Sequence, residues 1–304
     1  MNTTTVQTER KTSQYPKKQG PAAWVKPFSV IVSALSIAWS TKIIAEGVKE
    51  FRSNSDWEYP DNTGLLCGLA GAGIAQLFTF CYQYLQRVVF LETSLKRKIQ
   101  LRNTVYESSF FEDVFNHVKR VELFLLVPYL SLTWIFRIMP ESYYDFEAPA
   151  NLAHVLLQLL VVDFFTYIFH MAEHSLSTWY ILGHKDHHKH TNPQIFNAFD
   201  ATLLDTVSLI LFPLICTAQV CHVNCWSYIF FGAAYSTHFM LIHSEFEHSF
   251  DSILRSFFVN TAADHHVHHK LFLYNYGHFF TIYDRIGGTY RDPSTVKGFR
   301  MYRQ

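Results

Sequence analysis

Six apolar stretches, at about 25–47, 64–85, 121–138, 150–169, 203–221 and 226–242, constrain this chain more than any other feature. Several approach the roughly 20 residues a helix needs to cross a bilayer. Inside hydrocarbon a spanning segment must satisfy its own backbone hydrogen bonds, which leaves helices or a closed barrel. Runs of this length predict helices, so the expected fold is an all-α, multi-span membrane bundle. Lys42 weakens the first run, and Asp205 and Pro213 interrupt the fifth, so 203–242 reads as a hairpin, either re-entrant or fully crossing.

Composition agrees with a membrane protein that carries sizeable polar parts. Of 304 residues, 49% are hydrophobic and 17% aromatic against 16% charged. Lys+Arg and Asp+Glu balance at 25 each, so no bulk basic field speaks for nucleic acid as a partner. Cys67, Cys81, Cys216, Cys221 and Cys225 sit in or beside apolar runs without a C-x-x-C pair. They are expected to be buried free thiols rather than a disulfide framework or a zinc ribbon.

Charge gives the orientation. Residues 1–22 are polar, hold no apolar core, and read as a flexible tail rather than a cleavable signal. Arg87, Lys96, Arg97, Lys98, Arg102, Lys119 and Arg120 lie between the second and third runs, whereas the loop 139–149, MPESYYDFEAP, has acids and no base. The positive-inside rule puts 86–120 in the cytosol and 139–149 across the membrane, with Arg137 dissenting at the far edge. Counted crossing by crossing, the chain is back on the cytosolic side near residues 170 and 243.

The histidines cluster at those cytosolic ends: HMAEH at 170–174, HKDHH at 184–188 and HHVHH at 265–269. His170 and His174, four apart, share a face on a helix. His184, His187 and His188 stand at i, i+3 and i+4, and His265, His268 and His269 repeat that spacing. Each short helix is expected to aim two or three imidazoles at a common point. Neutral imidazole suits iron, zinc or copper, and eight such donors exceed the four of a zinc site. The surplus points to two metals. A zinc hydrolase competes, but HMAEH has its Glu at the wrong offset for H-E-x-x-H. A metal transporter would hold its histidines within the spans, facing a pathway, rather than at their ends. Glu173 and Asp186 are candidates to orient an imidazole N–H, with a solvated helix face as the alternative for each. His266 falls off the face of its box, which fits a local role, and isolated His117, His154 and His222 read as structural or interfacial.

The order H-x3-H, H-x2-H-H, H-x2-H-H, with its first pair at the end of an apolar run, resembles the fatty acid hydroxylase/sterol desaturase superfamily of membrane di-iron oxygenases, over about residues 160–292. Within it, HHVHHKLFLYNYGHFFTIYDRIGGTYRDP is most similar to the sterol C-5 desaturase (lathosterol oxidase) branch. Three departures stand out: Tyr283 replaces the usual Trp, His278 stands where Gln is common, and NAFDATLLD lacks a histidine found in the branch. The resemblance implies two irons per chain in a cytosolic, histidine-rich helical cap. It also implies a ninth ligand near LIHSEFEH, with His243 ranked first, His248 next, and His238 and His278 lower.

The implied chemistry uses O2 to oxidise an unactivated C–H bond of a membrane lipid. Sterol C-5 desaturation comes first, and a sterol, fatty-acyl or other lipid hydroxylation is the alternative. A non-catalytic relative would be expected to have lost box histidines. Because neither G-x-G-x-x-G nor H-P-G-G occurs, the resemblance implies separate cytochrome b5 and its reductase as electron donors, in the endoplasmic reticulum membrane. The expected organisation is a tail (1–22), an N-terminal transmembrane region with a basic cytosolic loop (23–150), the histidine-box oxygenase domain (151–292) and a C-terminal tail (293–304).

Overall fold

A computed structural model describes residues 21–101, 106, 108–120 and 124–301. Most of the N-terminal tail, Arg102, the start of the third apolar run and the last three residues lie outside them. Among the described residues the chain is helical, with three isolated bridges and no strand. Four helices are long and apolar enough to cross a membrane: α1 (Val25–Ser53), α2 (Thr63–Val89), α4 (Leu152–Ser175) and α5 (Leu203–Val220). Between and after them lie α3 (Leu126–Ile135), α6 (Cys225–Leu241) and α7 (Ala262–Leu271).

Their boundaries follow from capping chemistry. Asn151 caps α4 by accepting from the Ala153 N–H at 2.9 Å, Thr202 caps α5 through Asp205 N, and Asn224 caps α6 through Ser227 N. In each case a side-chain oxygen takes an N–H that has no partner within the helix. Thr261 and Asp264 cap α7 reciprocally.

In the described part of the third apolar run, Leu126–Ile135 is a helix of 10 residues, about 15 Å, and residues 121–123 lie outside the described residues. Pro128 falls in its first turn, where the missing N–H costs no intrahelical bond. At the other end Arg137 takes a left-handed φ of 48°, which turns the chain away. In α5, Pro213 is accommodated just after a π turn at Val207–Leu211.

The outer helices are packed inside out relative to a soluble bundle. The face of α1 buried in the protein carries Ser29, Ser33, Ser36 and Ser40, while Phe28, Ile31, Leu35 and Trp39 are exposed. Helix α2 buries Gly64, Ala75, Thr79 and Gln83 and exposes Leu66, Ile74, Leu77 and Phe78. Small residues let helix backbones approach where lipid is as apolar as leucine, so the large side chains can face the lipid. Gly64 shows the constraint: an added Cβ would lie 2.3 Å from the Trp134 ring.

Helix α1 packs on α4 and α2 on α6, with α4, α5 and α6 forming the centre. One end of the bundle gathers the turns around Asp61, Asp145 and Cys225: Trp134 Nε1 donates to Asp61 O at 3.0 Å and Cys225 N to Asp145 O at 3.1 Å. The opposite end receives the last turn of α4, the first of α5, the last of α6 and all of α7. Arg120 reaches Asp200 there at 2.7 Å.

Candidate metal centre and lipid cavity

The eight box histidines and His243 converge at that second end, in two adjoining groups. His170, His174, His184, His188 and His268 form one, and His187, His243, His265 and His269 the other; within each group the nearest ring nitrogens all lie within 4.8 Å of one another. The groups touch: the rings of His188 and His269 are 5.0 Å apart. Two expectations need correcting. The second box is a turn followed by a 3₁₀ segment, His187–Lys189, rather than an α-helix. The second and third boxes also do not aim at single points, because His187 parts from His184 and His188, and His268 parts from His265 and His269. Residues four apart, His184 with His188 and His265 with His269, stay together, while those one and three apart diverge in direction, so one short segment feeds both groups.

Hydrogen bonding fixes the tautomers and tests whether a metal fits. His170 Nδ1 donates to Tyr276 O (2.8 Å), His268 Nδ1 to Tyr274 O (2.8 Å) and His243 Nδ1 to Phe239 O (2.8 Å). A carbonyl can only accept, so in the neutral ring each Nε2 carries a bare lone pair. His184 Nδ1 likewise faces Asp205 Oδ1 at 2.7 Å. Yet His170 Nε2 lies 2.8 Å from His184 Nε2, with no proton to share between them. His268 and His188 meet at 3.0 Å, and His243 meets His265 at 3.0 Å and His187 at 3.3 Å through the same atoms. Such spacings match the edge of a coordination polyhedron, about 3 Å for bonds of roughly 2.1 Å at right angles. Converging lone pairs repel unless a cation lies between them. The donor set therefore fits metal, and all-nitrogen ligation suits iron, copper or zinc.

Burial keeps these imidazoles neutral. It holds His184, His187, His188, His265, His268 and His269 well below the ordinary histidine range, with neighbouring imidazoles adding to the effect. Burial likewise lowers His243 to about 4. Neutral rings are the ligating form.

The supporting residues were only partly foreseen. Glu173 is buried with Oε2 3.6 Å from His184 Nδ1, so it serves His184 rather than its neighbour His174. Asp186 is exposed and orients no imidazole, because its turn points it at solvent. Asp205 does that work, and an acid inside an apolar run was the signal for it. His248 lies outside both groups, with Tyr82 Oη at 2.7 Å from its Nδ1. His238 stacks on Phe279 with ring centroids 4.3 Å apart, also outside the groups. His266 locks α7 locally, between Gln100 and Ser244 O. His117 packs among Phe80, Phe196 and Phe199 as a structural residue.

His278 belongs to neither group but stands between them, with ring centroids 5.1 Å from His170 and 5.4 Å from His265. It is carried there by the loop 274–281, which two acids hold. Asp163, buried within α4, accepts the N–H groups of His278, Phe279 and Phe280 at 2.7–2.9 Å. Asp284 accepts those of Tyr276 and Gly277, both at 2.8 Å. Gly277 is required by close approach, since a Cβ there would meet Phe280 O at 2.4 Å. This loop supplies the carbonyls of Tyr274 and Tyr276 that orient His268 and His170.

Below the histidines an apolar cavity of about 290 Å³ lies between α2, α3, α5 and α6. Its wall on α6 runs from Tyr228 to Phe239, about 16 Å at helical rise. Of the polar side chains on it, Gln76 donates to Ser236 Oγ (3.2 Å), Thr206 to Thr202 O, and Tyr235 meets Thr166, while Gln76 Oε1 is buried without a partner. A second cavity of about 10 Å³ separates it from His184, His187 and His278. Two histidine groups that could hold metal, placed beside a hydrocarbon cavity, suit a lipid oxidoreductase.

Comparison with known proteins decides the family. The fatty acid hydroxylase model matches residues 155–289. An alternative squalene epoxidase of Phaeodactylum tricornutum is 41% identical over 250 residues, covering 81% of this chain and 70% of that protein. The chain belongs to the fatty acid hydroxylase family. Other members align over shorter stretches. A Delta(7)-sterol 5(6)-desaturase of Gibberella zeae is 34% identical over 166 residues, 51% of this chain and 40% of the relative. Lathosterol oxidase of Rattus norvegicus is 54% identical over 41 residues, 14% of each chain. No solved structure matches this chain. The resemblance to the sterol C-5 desaturase branch is thus borne out, and the family's enzymes make this chain an oxidoreductase of membrane lipids.

Proposed function

We propose that this chain is a membrane di-iron oxygenase that epoxidises a linear triterpene, squalene. The nine histidines of the two groups would hold two irons, which supply reductive activation of O2. The carrying observation is the join of paired lone-pair clusters to a cavity lined almost wholly by apolar side chains. An unfunctionalised polyene suits so apolar a lining, whereas a hydroxylated lipid would have to bring its hydroxyl to an acceptor such as Gln76 Oε1 to keep it paired. The squalene epoxidase relative, aligned over most of this chain, supports the same reading. Overall, one alkene, one O2, two electrons and two protons give one epoxide and one water.

The chain's own residues do the positioning. Asp205, with Glu173 beside it, and the carbonyls of Tyr274, Tyr276 and Phe239 fix four imidazoles in the ligating tautomer. Asp163 and Asp284 hold the loop that presents two of those carbonyls. Cavity walls on α5 and α6 exclude water and align the lipid end-on to the clusters. Electrons would come from cytochrome b5 and its reductase at the histidine end, where Arg87, Lys96, Arg97, Lys98 and Arg120 also lie. That basic end supports a cytosolic placement of the clusters, in the endoplasmic reticulum membrane.

Incubating the iron-loaded full chain with squalene, O2, NAD(P)H, cytochrome b5 and its reductase should yield a product one oxygen heavier. Unchanged squalene, with iron bound and electrons accepted, would overturn the reading. A second reading, sterol C-5 desaturation, is favoured by the 41-residue match to lathosterol oxidase. It predicts a restored ring-B diene when the chain is expressed in cells lacking their own C-5 desaturase.

A further inference from the structure

The two cavities share four side chains, Phe199, Thr206, Ile210 and Phe239, so a lipid in the larger one must pass between them to reach the histidines. Phe199 and Phe239 face each other with ring centroids 5.2 Å apart. Phe239 then contacts His243 at 5.2 Å and His278 at 5.5 Å, so it stands directly before the metal groups. Ile210 reaches the same point from the opposite wall. It lies within the π turn Val207–Leu211, a local widening of α5 of the kind that recurs at functional sites. The space beyond, about 10 Å³, takes about one water. A chain end needs a narrower gap between these side chains than the edge of a fused ring system does.

We propose that Phe199, Ile210 and Phe239 form a constriction that selects the lipid by the width of its leading end. The slim terminal alkene of a linear isoprenoid passes to the histidines and is held there, and a fused-ring lipid, kept out of the inner space, is retained less tightly. This inference rests on the proposed epoxidation for the identity of its preferred ligand, but the constriction itself concerns shape.

Its test separates the two. Binding of radiolabelled squalene and lathosterol to the full chain in nanodiscs is compared for wild type, Ile210→Ala, Phe199→Leu and Ile210→Phe, with iron content measured on each. Wild type should retain squalene at least about tenfold better than lathosterol. Ile210→Ala and Phe199→Leu should shrink that ratio toward unity, and Ile210→Phe should lower turnover of any accepted lipid about tenfold or more, all with iron unchanged. A ratio the same in wild type and in iron-loaded Ile210→Ala and Phe199→Leu would overturn the constriction, even if squalene is epoxidised. A ratio that shifts as expected without any squalene epoxide forming would instead overturn the functional reading and keep the constriction. Should Phe199→Leu lose iron, Ile210→Ala with its iron content unchanged carries the test.

Discussion

The first two spanning helices, α1 and α2, and the last two, α4 and α5, are built from similarly apolar sequence and put to opposite use. In α1 and α2 only 22% and 17% of the most apolar stretch is buried in the protein, against 56% in both α4 and α5. What α1 buries is serine, and what α4 buries at its end is His170 and Glu173. A lipid-facing helix needs small contacts on one side and tolerates any large apolar residue on the other. A site-bearing helix needs each inward side chain in one rotamer with each hydrogen bond made. The two regions should therefore respond very differently to substitution.

The largest contrast is expected at the metal ligands. His268→Ala and His187→Ala should each abolish turnover and lower the iron bound per chain, while the protein still inserts, because the spanning helices are untouched. Elemental analysis beside a protease-protection assay checks this, and near-normal product from either variant would remove that residue from the centre.

Next come the residues that orient ligands. Asp205→Asn should weaken metal retention about 10–100-fold, the range found for partners of ligating histidines, without altering membrane insertion. Chelator competition gives the value. Asp163→Leu leaves three buried N–H groups of the 278–280 turn without their acceptor. It should cost more than about 3 kcal/mol, at roughly 1–3 kcal/mol for each donor. Thermal unfolding in detergent reads that loss.

Acid should separate the two regions as well. In the metal-free protein His243 and His266 titrate at about 4 and about 3 because they are buried, against 6.5 for a free histidine. Below pH 6.5 the unfolded chain then takes up protons that the folded one does not. Stability should fall as pH drops from about 6.5 toward 4 and stay level above about 7. Hydrogen exchange should show the loss at α7, with α1 and α2 little changed.

The smallest effects belong to the lipid face. Leu35→Ala should shift stability by less than about 0.5 kcal/mol, in the range of ordinary surface substitutions. Ser33→Leu on the opposite face of α1 should cost about 1–3 kcal/mol by overpacking against α4. Equal effects at the two positions would contradict the inside-out arrangement.

Much of this molecule was legible from residue types alone. The apolar runs predicted α1, α2, α4, α5 and α6, because length and hydropathy are local properties. For 121–138 the described part is a helix over Leu126–Ile135, and the start of the run lies outside the described residues. Histidine spacing identified eight of the nine clustered imidazoles, and His243 came from resemblance. Spacing could not say which metal group each joins, since the split of His187 from His188 depends on rings brought in by α6 and α7. Asp163 and Asp205 were visible as charges inside apolar runs, but their partners lie 115 and 21 residues away in sequence.

Sequence by itself determined that this chain belongs in a membrane and that its histidines gather at one end, because burial of apolar length and helical periodicity are set within a segment. Only the tertiary structure decided what the imidazoles face. Lone pairs oppose one another because carbonyls from a distant loop take the Nδ1 protons. The hydrocarbon cavity narrows at Phe199, Ile210 and Phe239 because three separate segments meet there. Those are relations between elements, and no single segment encodes them.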